Sequence, residues 1–219
     1  MDKFIDRQEA GTVLADYLKD YANQPNIIIL ALPRGGVPVA YEIAKALSIP
    51  LDVFIVRKLG VPGHEEFAMG AIASGGTVVF NEPLLHELNL EQSSIDNVLK
   101  VEQKELQRRE LLYRGNRPFP NLLGKTIILV DDGIATGSTM FAAVKALHKH
   151  KPASLIIAVP VAAHQTCEEM KRLVDKIICP LQPINFYAVG LWYENFSQTS
   201  DSEVIELLKK SNARIELSI

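Results

Sequence analysis

Residues 127–139 constrain the fold of this chain more than any other stretch. Ile127, Ile128, Leu129 and Val130 form an unbroken apolar run, the pattern of a strand buried on both faces. Two acids follow, Asp131 and Asp132, and then the small-residue stretch Gly133-Ile134-Ala135-Thr136-Gly137-Ser138-Thr139. Helical spacing resumes over residues 138–148. A strand that feeds a helix through so short a turn is half of a βαβ unit. The same alternation recurs along the chain. Periodicity predicts helices over residues 7–21, 39–47, 165–173 and 203–210, and strands over 27–31, 51–56, 154–159 and 177–178. Together these imply an α/β fold with a mainly parallel central sheet and helices on both faces.

Three segments depart from the alternation. Residues 68–73 and 77–80, divided by Ser74-Gly75-Gly76, read as a hairpin. Residues 60–66 hold two glycines and a proline and read as a mobile loop. Residues 93–113 read as one long helix, opened by Ser93-Ser94-Ile95-Asp96, with Ile95, Val98, Leu99 and Leu106 on one face. A short strand is expected at 186–189. With no linker and no internal repeat, residues 1–219 read as a single domain.

Composition narrows the function classes. A 47% hydrophobic and 22% charged chain of 219 residues is ordinary for a globular protein and supports a sizeable core. The net charge of -3 supplies no broad positive field, so neither nucleic acid nor an anionic membrane is an expected partner. Cys167 and Cys179 match no zinc or redox spacing and read as buried thiols. Residues 1–10 lack the apolar stretch of a signal peptide, and no apolar run approaches spanning length. A cytoplasmic location is the resulting expectation.

The turn itself carries chemistry. In open α/β sheets ligands gather at the carboxyl ends of strands. A helix start there offers unpaired amides and about half a positive charge. Ala135, Thr136, Gly137, Ser138 and Thr139 therefore read as a cradle for a phosphate monoester. Asp131 and Asp132 would repel a phosphate and suit neutral hydroxyls beside it, as on a ribose. One turn thus reads both ends of a ribose 5-phosphate. The stretch lacks the lysine and spacing of a P-loop, and the glycine pattern of a dinucleotide fingerprint. A second glycine turn, Pro33-Arg34-Gly35-Gly36, follows the first strand. Its amides and the forked cation of Arg34 suit phosphate oxygens.

The stretch of residues 127–139 resembles the phosphoribosyl pyrophosphate signature of type I phosphoribosyltransferases. Residues 32–38, 57–60, 68–73 and 186–193 are similar to the bacterial subgroup of uncharacterised phosphoribosyltransferases. The resemblance implies that fold, with a flexible lid near residues 59–76, a helical insertion near 84–114 and a small hood near 181–200. It implies transfer of 5-phosphoribosyl from phosphoribosyl pyrophosphate to a nitrogenous base, with release of pyrophosphate. Arg34, Gly35, Gly36, Arg57 and Lys58 would bind pyrophosphate, and the Pro33–Arg34 peptide would be cis. Asp131 and Asp132 would act in catalysis, with Glu66 assisting the base from the lid. Magnesium would be held mainly by ligand oxygens and water, with Asp131 or Asp132 reached through water. A homodimer is the implied assembly. Ala135 stands where the family's 6-oxopurine enzymes place an aspartate. That disfavours hypoxanthine and guanine and leaves adenine, uracil-like or unusual bases open. A regulatory protein that binds phosphoribosyl pyrophosphate or a nucleotide without catalysis is the alternative on the same fold.

Overall fold

The computed structural model describes residues 3–216. The order of elements is α1 (Arg7–Tyr17), β1 (Ile27–Ala31), α2 (Gly36–Leu47), β2 (Leu51–Val53), β3 (Val56–Val61), β4 (His64–Ala73), β5 (Thr77–Phe80), α3 (Glu82–Leu88), α4 (Gln92–Arg114), β6 (Thr126–Val130), α5 (Ser138–Lys149), β7 (Ser154–Ala158), α6 (His164–Met170), β8 (Lys176–Ile178) and α7 (Asp201–Glu216). Five strands pair in parallel in the order β2-β1-β6-β7-β8. Alternate residues of these strands supply two cores. Ile29, Ala31, Ile128, Val130 and Ile156 face α1, α2 and α7. Ile28, Leu30, Ile127, Leu129 and Ile157 face α5 and α6. Every residue of β1 is buried, which explains an apolar run without alternation. The expected α/β architecture, a parallel sheet covered on both faces, is present. Among the described residues no helix is long and apolar enough to cross a membrane. Cys167 and Cys179 are both free and buried.

Several boundaries differ from expectation for identifiable reasons. The first helix ends at Tyr17 and tightens into a 3₁₀ turn over Lys19–Tyr21. The next helix starts at Gly36 rather than 39, because Pro38 lies in its first turn, where a missing N–H removes no helical bond. The expected strand over 51–56 divides into β2 and β3, which belong to different sheets. The expected loop at 60–66 is instead the end of the β3–β4 hairpin. Val61 pairs with His64 across Pro62-Gly63, and Gly63 has φ +79°. The loop-forming composition is thus spent on a tight turn. β5 completes this antiparallel sheet by pairing with β4. No strand forms at 186–189; Val189–Trp192 is a short 3₁₀ turn, and Phe186 and Trp192 pack on a hydrophobic cluster instead.

Helix α4 is tied to the sheet by a buried cation. The Arg114 side chain, at the end of α4, is only 3% exposed. Its Nε donates to both carboxylate oxygens of Asp52 at 3.2 and 3.1 Å. One terminal nitrogen reaches Glu110 at 3.1 Å and the other the Val53 carbonyl at 3.0 Å. Removing one member of a buried ion pair leaves an uncompensated charge. Arg114→Leu is expected to lower the unfolding free energy by about 3–5 kcal/mol in urea titration. Adding Asp52→Asn should recover part of that loss. A change within about 0.5 kcal/mol for the single variant would contradict this anchoring role.

Candidate functional site

At the carboxyl end of β6 the chain turns from residue 131 into α5. Asp131, Gly133, Ile134, Ala135, Thr136, Gly137, Ser138, Thr139, Met140 and Val189, together with Lys58 of β3, line a cleft of about 280 Å³. The turn is fixed from behind. Ile134 bridges Ala162 in the loop after β7, and Thr166 Oγ1 donates to the Ala135 carbonyl at 2.9 Å. Gly137, at φ +75°, is the residue before α5. A Cβ there would lie 2.8 Å from Thr166 Cγ2 and 3.0 Å from Met170 Cε. Thr136, Ser138 and Thr139 are exposed, and the hydroxyls of Thr136 and Ser138 lie 3.2 Å apart. Lys58 Nζ donates to Ser138 Oγ at 3.3 Å. A helix start, a cluster of hydroxyls and an ammonium thus meet in one cleft, an arrangement suited to an anion.

The two acids behave differently from each other. The backbone N–H of Asp132 donates to Asp131 Oδ1 at 2.9 Å. Burial raises the Asp131 carboxyl well above the usual range, and the neighbouring Asp132 charge raises it further. Burial also raises Asp132, but the Arg7 guanidinium opposes the shift. Arg7 Nε donates to Asp132 Oδ2 at 2.8 Å. The Tyr193 hydroxyl donates to the Asp132 carbonyl at 2.5 Å, and burial pushes its own pKa upward, so it stays a neutral donor. An acid pair of this kind favours hydroxyl donors or a cation over an anion. It also offers hard oxygen donors, which suit magnesium. Among the described residues, no group of three or more His, Cys, Asp or Glu side chains is placed to hold a metal.

The second glycine turn lies against this pair. The Pro33–Arg34 peptide is cis, as expected. A Cβ on Gly35 would overlap the Asp132 carboxylate, and one on Gly36 would lie 2.7 Å from the Val130 carbonyl. Only glycine permits this approach. Arg34 is partly exposed, with its guanidinium 3.9 Å from Asp201 at the start of α7. The remaining expected residues are placed less directly. Arg57 is bound to Glu102 of α4 at 2.6 Å. Glu66 is exposed on β4, 3.7 Å from His64. Neither lines the cleft with Lys58.

The segment expected to form a hood contributes to a small cluster around Phe4, Ala10, Val161 and Tyr193, with Phe186, Val189, Trp192 and Phe196 packed on it. Phe186 and Trp192 stack with centroids 6.2 Å apart. Trp192 Nε1 is buried without a hydrogen-bond partner among the described residues. Tyr187 and Ile184, by contrast, are exposed. Sequence reading missed Arg7, Thr166 and Val189. Arg7 is 125 residues from its partner Asp132, and no local pattern marks a contact at that range. Thr166 lies within a helical pattern and resembles any helix hydroxyl.

Gly137→Ala is expected to destabilise the protein by about 1–3 kcal/mol, through left-handed strain plus the contacts with Thr166 and Met170. Gly76→Ala is a control, since Gly76 has φ +75° but nothing near its Cβ position. Thermal unfolding should show the larger loss at Gly137; equal losses would mean that the packing behind the turn contributes nothing.

Comparison with known proteins identifies a family for the chain. A family model for the phosphoribosyl transferase domain matches residues 5–192. Two Mycobacterium tuberculosis proteins, from strains CDC 1551 and H37Rv, carry a provisional phosphoribosyl transferase name. Each is 41% identical over 212 residues, covering 97% of this chain and 48% of the relative. The chain thus spans about half the length of the curated relatives it matches. The crystal structure of TT1426 from Thermus thermophilus is 36% identical, with a TM-score of 0.84, covering 95% of this chain and 98% of that one. By the match over most of its length, the chain belongs to the phosphoribosyl transferase domain family.

Proposed function

We propose that this chain transfers a 5-phosphoribosyl group from phosphoribosyl pyrophosphate to a nitrogenous base and releases pyrophosphate. The observation that carries the reading is the single cleft in which Asp131, the amides and hydroxyls of residues 135–139 and Lys58 converge. In this reading Ala135, Thr136, Gly137, Ser138 and Thr139 hold the 5-phosphate. Asp131 and Asp132 accept hydrogen bonds from the ribose hydroxyls. Gly35 and Gly36, pressed against the same acids, present their turn to pyrophosphate together with Arg34 and Lys58. Arg57 joins them only on leaving Glu102, and Glu66 only if the hairpin moves toward the cleft.

Leaving-group departure builds positive charge on the sugar ring. Carboxylates fixed beside that ring stabilise the charge without reorganising. Magnesium, when bound, neutralises the pyrophosphate; the chain's own residues orient the donor and keep the ribose in register. Ala135 offers the incoming base no proton donor or acceptor at its side chain, so the reading excludes an acid/base role at that position.

A screen with phosphoribosyl pyrophosphate, magnesium and a panel of nitrogenous bases should detect base-dependent pyrophosphate release. Asp131→Asn combined with Asp132→Asn should weaken donor binding about 100-fold or more, because hydrogen bonds to charged acceptors are worth about 1.5–3 kcal/mol each. Its melting temperature should fall only modestly, because relief of repulsion between the two acids offsets part of the loss of the Arg7–Asp132 pair. Undiminished donor affinity in the double variant would overturn the ribose-binding role. Donor binding with no release across the panel would identify a binding protein in place of a transferase.

A further inference from the structure

We infer that Arg7 is a positioning residue for the sugar, acting through Asp132; the inference rests on the reading of Asp132 as a ribose-binding acid. Arg7 comes from the first turn of α1, on a segment that is built into the hood. Phe4 is fully buried against Tyr193, with rings 5.7 Å apart. The Phe4 N–H donates to the Trp192 carbonyl at 2.9 Å, and the N–H groups of Glu194 and Asn195 donate to the carbonyls of Phe4 and Ile5, each at 2.8 Å. Asp6 caps the helix by accepting from the Glu9 N–H at 2.9 Å. Glu9 reaches back to the Ile5 N–H at 2.5 Å. This reciprocal cap fixes where α1 begins, and so fixes the base of the Arg7 side chain.

The guanidinium is then held at three points. Nε donates to Asp132 Oδ2 at 2.8 Å. A terminal nitrogen donates to the Ser197 carbonyl at 2.7 Å. The group lies over the Phe196 ring, 3.9 Å from its centroid. The pair is largely out of solvent, at 12% exposure for Arg7 and 14% for Asp132. A planar fork bound on two sides sets the plane of the carboxylate it holds. Two more contacts fix the main chain at this residue: Tyr193 Oη on the Asp132 carbonyl and Asp131 Oδ1 on its N–H. Arg7 does not line the cleft formed by Asp131, residues 133–140, Lys58 and Val189, and Asp132 stands just behind that lining. It is placed to orient the acid from behind rather than to touch a ligand at the phosphate turn.

This geometry separates two parts of one ligand. The phosphate cradle at residues 135–139 has no contact with Arg7, whereas the sugar-facing acid depends on it. Calorimetric titration with ribose 5-phosphate and, separately, with inorganic phosphate distinguishes them. Arg7→Met keeps an unbranched side chain and removes the guanidinium with every donor. It is expected to lower ribose 5-phosphate affinity about tenfold or more, the size of effect seen when the supporting partner of a ligating group is lost, and to leave phosphate affinity unchanged. Arg7→Lys, which keeps the charge but not the fork, should fall between Arg7→Met and wild type. If Arg7→Met fails to fold, the Arg7→Lys comparison decides alone, by the same split between the two ligands. Unchanged affinity for both ligands would overturn the inference and leave the proposed function standing. A parallel loss of both would overturn it in favour of a purely structural role. Failure of the wild type to bind ribose 5-phosphate would overturn it together with the proposed function.

Discussion

Two adjacent carboxylates at the end of a buried strand are the constraint around which this structure is arranged. Asp131 and Asp132 cannot be left to face each other in a dry turn without compensation. Three distant parts of the chain meet around them, one of which carries the compensating charge. Arg7 supplies the cation from α1. Tyr193 takes the Asp132 carbonyl from the hood. The bare backbone of Gly35 closes on the carboxylate from the turn after β1.

The same constraint divides the site into two electrostatic halves. On one side, two adjacent buried acids offer acceptor oxygens and negative charge, which disfavour anions and favour hydroxyl donors or a hydrated cation. A few residues on, the start of α5, three side-chain hydroxyls and Lys58 favour an anion. A neutral ring carrying a phosphate at one end matches that division. A free phosphate or a free sugar would use only half of it.

Much of this was legible in the sequence because it is local. The apolar run of residues 127–130, the acids after it and the small-residue turn lie consecutively, so strand, site and helix start could be read together. The glycine turn at residues 33–36 was legible for the same reason. Long-range pairings were not. Nothing near Arg7 marks it as the partner of Asp132, and nothing near Arg57 announces Glu102. The tip of the β3–β4 hairpin was misread because Pro62 and Gly63 signal both a loop and a tight turn, and only the pairing of Val61 with His64 separates the two. At residues 186–189 an aromatic-rich run suggested a strand, but Phe186 and Val189 pack on the Phe4–Tyr193 cluster while Tyr187 is exposed.

The central claim is that one turn reads both ends of a ribose 5-phosphate. A crystal structure with that ligand tests it most directly. The account predicts the phosphate against the amides and hydroxyls of residues 135–139, with the ribose hydroxyls within hydrogen-bond distance of Asp131 and Asp132. A well-ordered ligand bound elsewhere, or bound here with its hydroxyls turned away from both acids, would contradict it.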